Sequence, residues 1–186
     1  MKTALLVIDV QQSFLKRPYW KEDESSAFLS KLQSLVDRAR ARQIPVLQIF
    51  HEEEPNTPDN PFSKVSGFVA ALPQLRLEAD AVFHKNVHSA LYGRAKDGRT
   101  LEQWLRDNQI EHVIVTGIRT EQCCETTTRH ASDAGFKVTY AMDATLTFPM
   151  TAKSGRTYSA AEIRDRTELV LQDRFANVVA TEAVAL

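Results

Sequence analysis

The feature that most constrains this chain is a rhythm. Six short apolar runs rich in Val and Ile recur along it: "ALLVIDV" (4–10), "IPVLQIF" (44–50), "AVFHK" (81–85), "HVIVTGI" (112–118), "KVTYAMDA" (137–144) and "NVVATEAV" (177–184). Most of them do not alternate apolar with polar residues, which is the pattern of strands buried on both faces. Between them lie stretches with helical spacing. Residues 25–43 place Phe28, Leu29, Leu32, Leu35, Val36 and Ala39 on one stripe behind a Ser cap. Residues 98–109, 120–135 and 159–176 read as three further helices. Strand and helix alternate throughout, so the class is α/β: a mostly parallel sheet between helical layers, with right-handed crossovers.

At 186 residues the chain is expected to form one domain, 1–186, with a core that needs no metal or cross-link to hold it. A formal net charge of −1, with acids and bases interspersed, gives no electrostatic reason to expect nucleic acid or an anionic membrane as partner. No apolar run approaches the roughly 20 residues of a membrane span. The opening "MKTALLVIDVQQSF" reads as a first strand, and the protein as cytoplasmic. Two stretches break the rhythm, 51–67 ("HEEEPNTPDNPFSKVSG") and 145–158 ("TLTFPMTAKSGRTY"). Each follows an expected strand and so belongs at the carboxyl edge of the sheet, where open α/β sheets bind ligands.

Three residues at strand ends carry possible chemistry. Asp9 closes the first run, where it either caps a turn or faces the ligand crevice. Lys85 closes the third, as a solvated tip or as a functional ammonium. His84 and His88 beside it lack a carboxylate at ligand spacing and read as packing or loop residues. Cys123 and Cys124, the only cysteines, stand just after the fourth run. Neighbouring cysteines close only a strained ring, and no metal-ligand spacing accompanies them. With Thr120 as N-cap, Cys123 takes the third position of a helix, where the helix start lowers a thiol pKa and offers N–H groups to an anion. Cys124, turned by about 100°, faces the sheet as a small buried residue. A buried filler remains an alternative for Cys123, and a redox pair for the two together. Asp, Lys and Cys nevertheless each end a different strand on one edge.

"LLVIDVQQSF", "FHKNVHSALYG" and "VIVTGIRTEQCCETTTRHASDAGFKVTYAMDA", in that order, resemble the signatures of the isochorismatase-like cysteine hydrolases. That family includes nicotinamidases, N-carbamoylsarcosine amidase and isochorismatases. The resemblance implies a three-layer α/β/α fold with a six-stranded sheet in Rossmann-like order 3-2-1-4-5-6, and a cis bond at Ile118–Arg119. It maps the catalytic Asp, Lys and Cys onto Asp9, Lys85 and Cys123, because Gly117 and Thr120 begin the family's Gly-x-x-Thr-x-x-Cys pattern. It also implies hydrolysis of a C–N bond, of amide or ureido type, in a small molecule through a covalent thioester. Backbone N–H groups at Cys123 and across the cis bond would hold the oxyanion.

Phe14, Tyr19, Trp20, Phe50, Tyr92, Ile118 and Phe148 are expected around the substrate, with packing roles as the alternative. Arg119 is read either as a clamp for a substrate carboxylate or as an interface salt bridge. The Asp-x-His metal pattern of nicotinamidases is missing from "IFHEEEPNTPDNPF", so neither a metal nor another cofactor is expected. A homo-oligomer is expected. Vinyl-ether hydrolysis of the isochorismatase type and a catalytically silent binding subunit are the alternatives.

Overall fold

β1 (Thr3–Ile8) lies inside a parallel sheet because its residues leave no polar side: Ala4, Leu5, Leu6, Val7 and Ile8 are all fully buried. The computed structural model describes residues 1–186, the side chains of Asp23 and Glu24 excepted. After β1 come α1 (Glu22–Ala41), β2 (Val46–His51), β3 (Ala81–Lys85), α2 (Leu101–Asp107), β4 (His112–Ile118), α3 (Glu125–Asp133) and β5 (Lys137–Leu146). The hairpin strands β6 (Met150–Thr151) and β7 (Thr157–Tyr158), then α4 (Ala160–Leu171) and β8 (Asn177–Val179), complete the order. The six-stranded sheet runs β3-β2-β1-β4-β5-β8, all parallel, with the expected order.

Alternate residues of β1 feed two cores. Leu5 and Val7 pack with Phe28, Leu32, Leu35, Val36 and Ala39 of α1. Leu6 and Ile8 pack with Leu101, Leu105, Ala131 and Leu171 from the three helices on the other face. Each large aliphatic side chain buried this way contributes about 1.5–3 kcal/mol before the entropy of ordering it is subtracted. β4 is buried along its whole length, and its Gly117 is required. At φ +126° a Cβ there would stand 2.0 Å from the Ile8 carbonyl oxygen on β1.

Several boundaries differ from the sequence reading. α1 begins at Glu22 with Lys21 as cap residue, so Ser25 lies inside the helix and its hydroxyl donates back to the Glu22 carbonyl. The final strand stops at Val179. There the backbone N–H and hydroxyl of Thr181 both donate to Asp143 Oδ1 at 2.7 Å, drawing the chain out of the sheet. The stretch 145–158 is not all loop, since β5 continues to Leu146 and β6–β7 form a small exposed hairpin. α2 and α4 start on capping boxes, Thr100 with Gln103 and Ser159 with Glu162. Among the described residues no helix is long and apolar enough to cross a membrane.

Candidate active site

Four neighbouring strands, β3, β2, β1 and β4, end side by side, and their ends carry Lys85, His51, Asp9 and Cys123 in that order. β1 stops because Asp9 turns into the left-handed region at φ +54°, which an Asp tolerates better than most residues. Its backbone N–H still donates to Ile49 O of β2 at 2.9 Å, so the turn is tied to the sheet. Lys85 pairs in register with His51 across β3 and β2. Far from being a solvated tip, it is 3% exposed. Its ammonium donates to Asp9 Oδ2 at 2.8 Å, His51 Nδ1 at 3.0 Å and Cys123 Sγ at 3.3 Å. Asp9 Oδ1 is buried and has no hydrogen-bond partner.

Cys123 enters from a turn that the sequence reading described differently. Residues Thr120–Cys124 form one π-type turn leading into α3, closed by Cys124 N donating to Arg119 O at 3.2 Å. Arg119 is the cap residue, and Thr120 does not cap. The Thr120 hydroxyl is instead engaged with Thr145 Oγ1 at 2.8 Å, and Tyr140 OH donates to the Thr120 carbonyl at 2.8 Å. These bonds pin the turn onto β5. The bond Ile118–Arg119 is cis, as the resemblance implies. Cys123 keeps 7% of its surface and Cys124 none. Both thiols are free.

The expected lowering of the Cys123 thiol pKa is reversed. Burial, and after it the Asp9 carboxylate, push the thiol well above its ordinary value, while Lys85 pulls the other way. Burial also lowers the Lys85 pKa, but Asp9 and Cys123 more than offset it, so the ammonium stays charged. The site therefore sets the Asp9–Lys85 ion pair beside a thiol that favours its protonated form. That arrangement supplies a base beside a nucleophile that has yet to give up its proton.

The other expected residues divide into separate groups. Tyr19, Trp20 and Phe148 stack together, with ring centroids 4.7 and 5.9 Å apart from Phe148. The Arg119 guanidinium lies over Tyr19 and Phe148 and is paired with Glu121 at 3.0 Å. Ile118 is fully buried in the same hydrophobic cluster as Phe148. Phe14 packs edge-on against Phe62. Phe50 meets His84, and Tyr92, 60% exposed, meets His130. Tyr92 and Lys85 line a cleft of about 780 Å³ with Glu52, His84, Arg94 and Lys96.

His51 was overlooked as a site residue, although a polar residue closing an apolar strand beside the Lys85 strand was its signal. Gln11 was overlooked too. Its amide accepts from His51 N at 2.8 Å and donates to His51 O at 2.9 Å. Asp9, His51 and Cys123 are the one trio of metal-type donors among the described residues. Lys85 Nζ hydrogen-bonds all three, so the positive charge at their centre is already supplied. The donor set does not suit a cation, which would meet an ammonium there.

The family model described as the isochorismatase domain matches residues 3–183. The chain belongs to the isochorismatase family. It is accordingly a hydrolase. It is 29% identical over 185 residues to YrdC, an uncharacterized isochorismatase family protein of Bacillus subtilis, with 97% of this chain and 93% of that protein covered. Nicotinamidase 3 of Arabidopsis thaliana is 27% identical over 157 residues, 78% of this chain and 73% of that one. The crystal structure of N-carbamoylsarcosine amidase from Thermoplasma acidophilum shares the isochorismatase fold, with a TM-score of 0.75 at 19% identity over 100% of both chains.

Proposed function

We propose that the protein hydrolyses a C–N bond, of amide or ureido type, in a small molecule through a thioester on Cys123. The observation that carries this reading is the buried contact of Lys85 Nζ with both Asp9 Oδ2 and Cys123 Sγ, beside an Asp9 oxygen with no partner. Asp9 takes the thiol proton as sulfur attacks the carbonyl carbon, forming the C–S bond. Lys85 balances the negative charge as it moves from carboxylate to sulfur. The oxyanion is assigned to backbone N–H groups of Arg119 and Cys123. Collapse breaks the C–N bond, and the proton held on Asp9 passes to the departing nitrogen. Asp9 then accepts a proton from water, which attacks the thioester and releases the acid and the free thiol.

The aromatic group Tyr19, Trp20 and Phe148, with Phe14 and Ile118, is assigned to one wall of the substrate site, and Phe50 and Tyr92 to the other. Arg119 already has Glu121 as partner, so a substrate carboxylate would have to compete for it. The nicotinamidase relative, which by its name acts on an amide, supports the C–N assignment. A panel of small amides, ureido acids and isochorismate, assayed with the parent and with Cys123→Ala, tests it. The reading requires an amide or ureido substrate whose turnover disappears with Cys123. Turnover of isochorismate alone, surviving in Cys123→Ala, contradicts it, because cleaving a vinyl ether transfers no acyl group to a thiol.

A further inference from the structure

We propose that His51 is a positioning residue for this centre: as a neutral imidazole it accepts the third hydrogen of the Lys85 ammonium and so fixes Lys85 between Asp9 and Cys123. The inference rests on the reading of Asp9, Lys85 and Cys123 as the reacting trio. A lysine ammonium has three hydrogens and no acceptor. Lys85 has three acceptors, Asp9 Oδ2 at 2.8 Å, His51 Nδ1 at 3.0 Å and Cys123 Sγ at 3.3 Å, one for each hydrogen. Since Lys85 can only donate, Nδ1 must carry the lone pair and the ring proton sits on Nε2. That nitrogen is 3.4 Å from Glu53 Oε1.

The ring has little freedom to leave. Gln11 holds the His51 backbone by both its N–H and its carbonyl, and Gln11 is itself fully buried. Phe62 and His88 pack against the imidazole at 6.2 and 6.3 Å between centroids. The groups facing it are Lys85, Asp9, Glu53 and His88, with the Cys123 thiol completing the ring of donors. Burial and the Lys85 charge hold its pKa below the ordinary histidine value, against the pull of Asp9 and Glu53. The imidazole therefore remains neutral at physiological pH. A proton on Nδ1 would remove the acceptor and set two cations about 3 Å apart, a strong repulsion inside a buried site. Loss of the ring would leave one ammonium hydrogen buried without a partner and let Lys85 swing toward Asp9, away from sulfur.

The test uses two variants and two readouts. His51→Leu keeps bulk without an acceptor. His51→Asn puts a non-titrating oxygen near the place of Nδ1. The expected result is that His51→Leu lowers kcat by about 10–100-fold, the scale of a misplaced reacting group, with KM changed little. His51→Asn should recover most of that loss and abolish the His51 contribution to the acid limb of the kcat profile. Parent kcat in His51→Leu, or equal losses in both variants, overturns the proposal. Nitrogen NMR of labelled histidine gives a readout free of turnover. His51 Nδ1 should be unprotonated in the parent and lose that fixed tautomer in Lys85→Met. A protonated Nδ1, or one indifferent to Lys85, overturns the proposal, whereas turnover surviving in Cys123→Ala sinks the thioester reading and leaves the tautomer result standing.

Discussion

The two ends of one sheet each hold a histidine among polar partners, His112 buried and His51 half-buried, and they do it in opposite ways. At the amino end, His112 of β4 lies between the hydroxyls of Thr3 on β1 (3.1 Å) and Thr139 on β5 (2.9 Å). A hydroxyl can donate or accept, so these neutral partners adapt to either tautomer of the ring. At the carboxyl end, His51 faces an ammonium that can only donate, within a group that includes one carboxylate and one thiol. One end is a paired polar seam between strands. The other keeps an ion pair almost wholly out of water, with Asp9 and Lys85 side chains 1% and 0% exposed and one carboxylate oxygen without a partner. Burying such charges works against stability. The sheet tolerates it at one edge only, and that edge is where the chemistry is proposed.

The largest effects should come from breaking the charged end. Asp9→Asn and Lys85→Ala should each lower turnover by at least about 100-fold, as expected for losing an acid–base group or its partner. Their effects on the Cys123 thiol should be opposite. Asp9 pushes the thiol pKa up and Lys85 pulls it down. Alkylation of Cys123 followed against pH should therefore give a lower apparent pKa in Asp9→Asn and a higher one in Lys85→Ala. Shifts in the same direction would show that the two groups do not act on sulfur as a pair. Lys85→Ala should also lose about 3–5 kcal/mol of stability, because it strands a buried carboxylate. Both residues lie at the sheet edge yet inside the protein, so their removal is not structurally free.

The next test sets the two histidines against each other. His112→Leu leaves the Thr3 and Thr139 hydroxyls short of a partner and should cost about 1–3 kcal/mol in denaturant unfolding, with kcat unchanged. His51→Leu should instead reduce kcat. If His112→Leu slowed turnover as much as His51→Leu, the distinction between the two ends would fail. Metal content offers a further check. Because Lys85 fills the centre of the donor trio, the purified protein should carry no stoichiometric Zn or Fe, and a chelator should leave its activity intact. Activity lost to a chelator and restored by a metal would contradict this.

The smallest effect is the pH dependence of stability. Both histidines have folded pKa values lowered from the ordinary value, first by burial and then by Lys85 or Lys137 respectively. Above about pH 6.5 both rings are neutral folded or unfolded and contribute no slope. As pH falls below that, the unfolded chain binds protons that the folded one refuses, so stability declines until the folded rings titrate. His51→Asn and His112→Leu should each flatten that decline. An unfolding midpoint independent of pH between about 4.5 and 6.5 in the double variant but also in the parent would contradict it.

Much of the fold was legible because β1 and β4 are dominated by apolar runs, ALLVI and VIV, with no regular polar alternation, which places them in the middle of a covered sheet. Gly117 was legible only as the start of the Gly-x-x-Thr-x-x-Cys pattern, because its close approach to the Ile8 carbonyl depends on the pairing of β1 with β4. The trio of Asp9, Lys85 and Cys123 followed from three motifs in order, each at a strand end. What escaped was set by contacts distant in sequence. Thr120 reads as a cap until Thr145 claims its hydroxyl, and Ser25 reads as a helix start although the preceding turn is already helical. The lowered thiol pKa expected from a helix start was outweighed by burial and by Asp9, neither of which local sequence registers. His51 was hidden by its distance of 34 residues from Lys85, a separation that only strand pairing closes.

The central claim is that Cys123, and not its neighbour, carries the acyl group. Once a substrate is in hand, rapid acid quenching during turnover followed by peptide mass spectrometry tests it directly. Cys124 is fully buried, and its own thiol is pushed well above the ordinary value by burial and by Cys123. Cys124→Val should therefore still turn over and still trap the adduct, while Cys124→Asp should unfold more easily through a buried charge. The account predicts a thioester-mass adduct on Cys123 alone, absent in Cys123→Ala, whose melting temperature should stay near that of the parent. An adduct on Cys124 with Cys123 free, or undiminished turnover in Cys123→Ala, would contradict it.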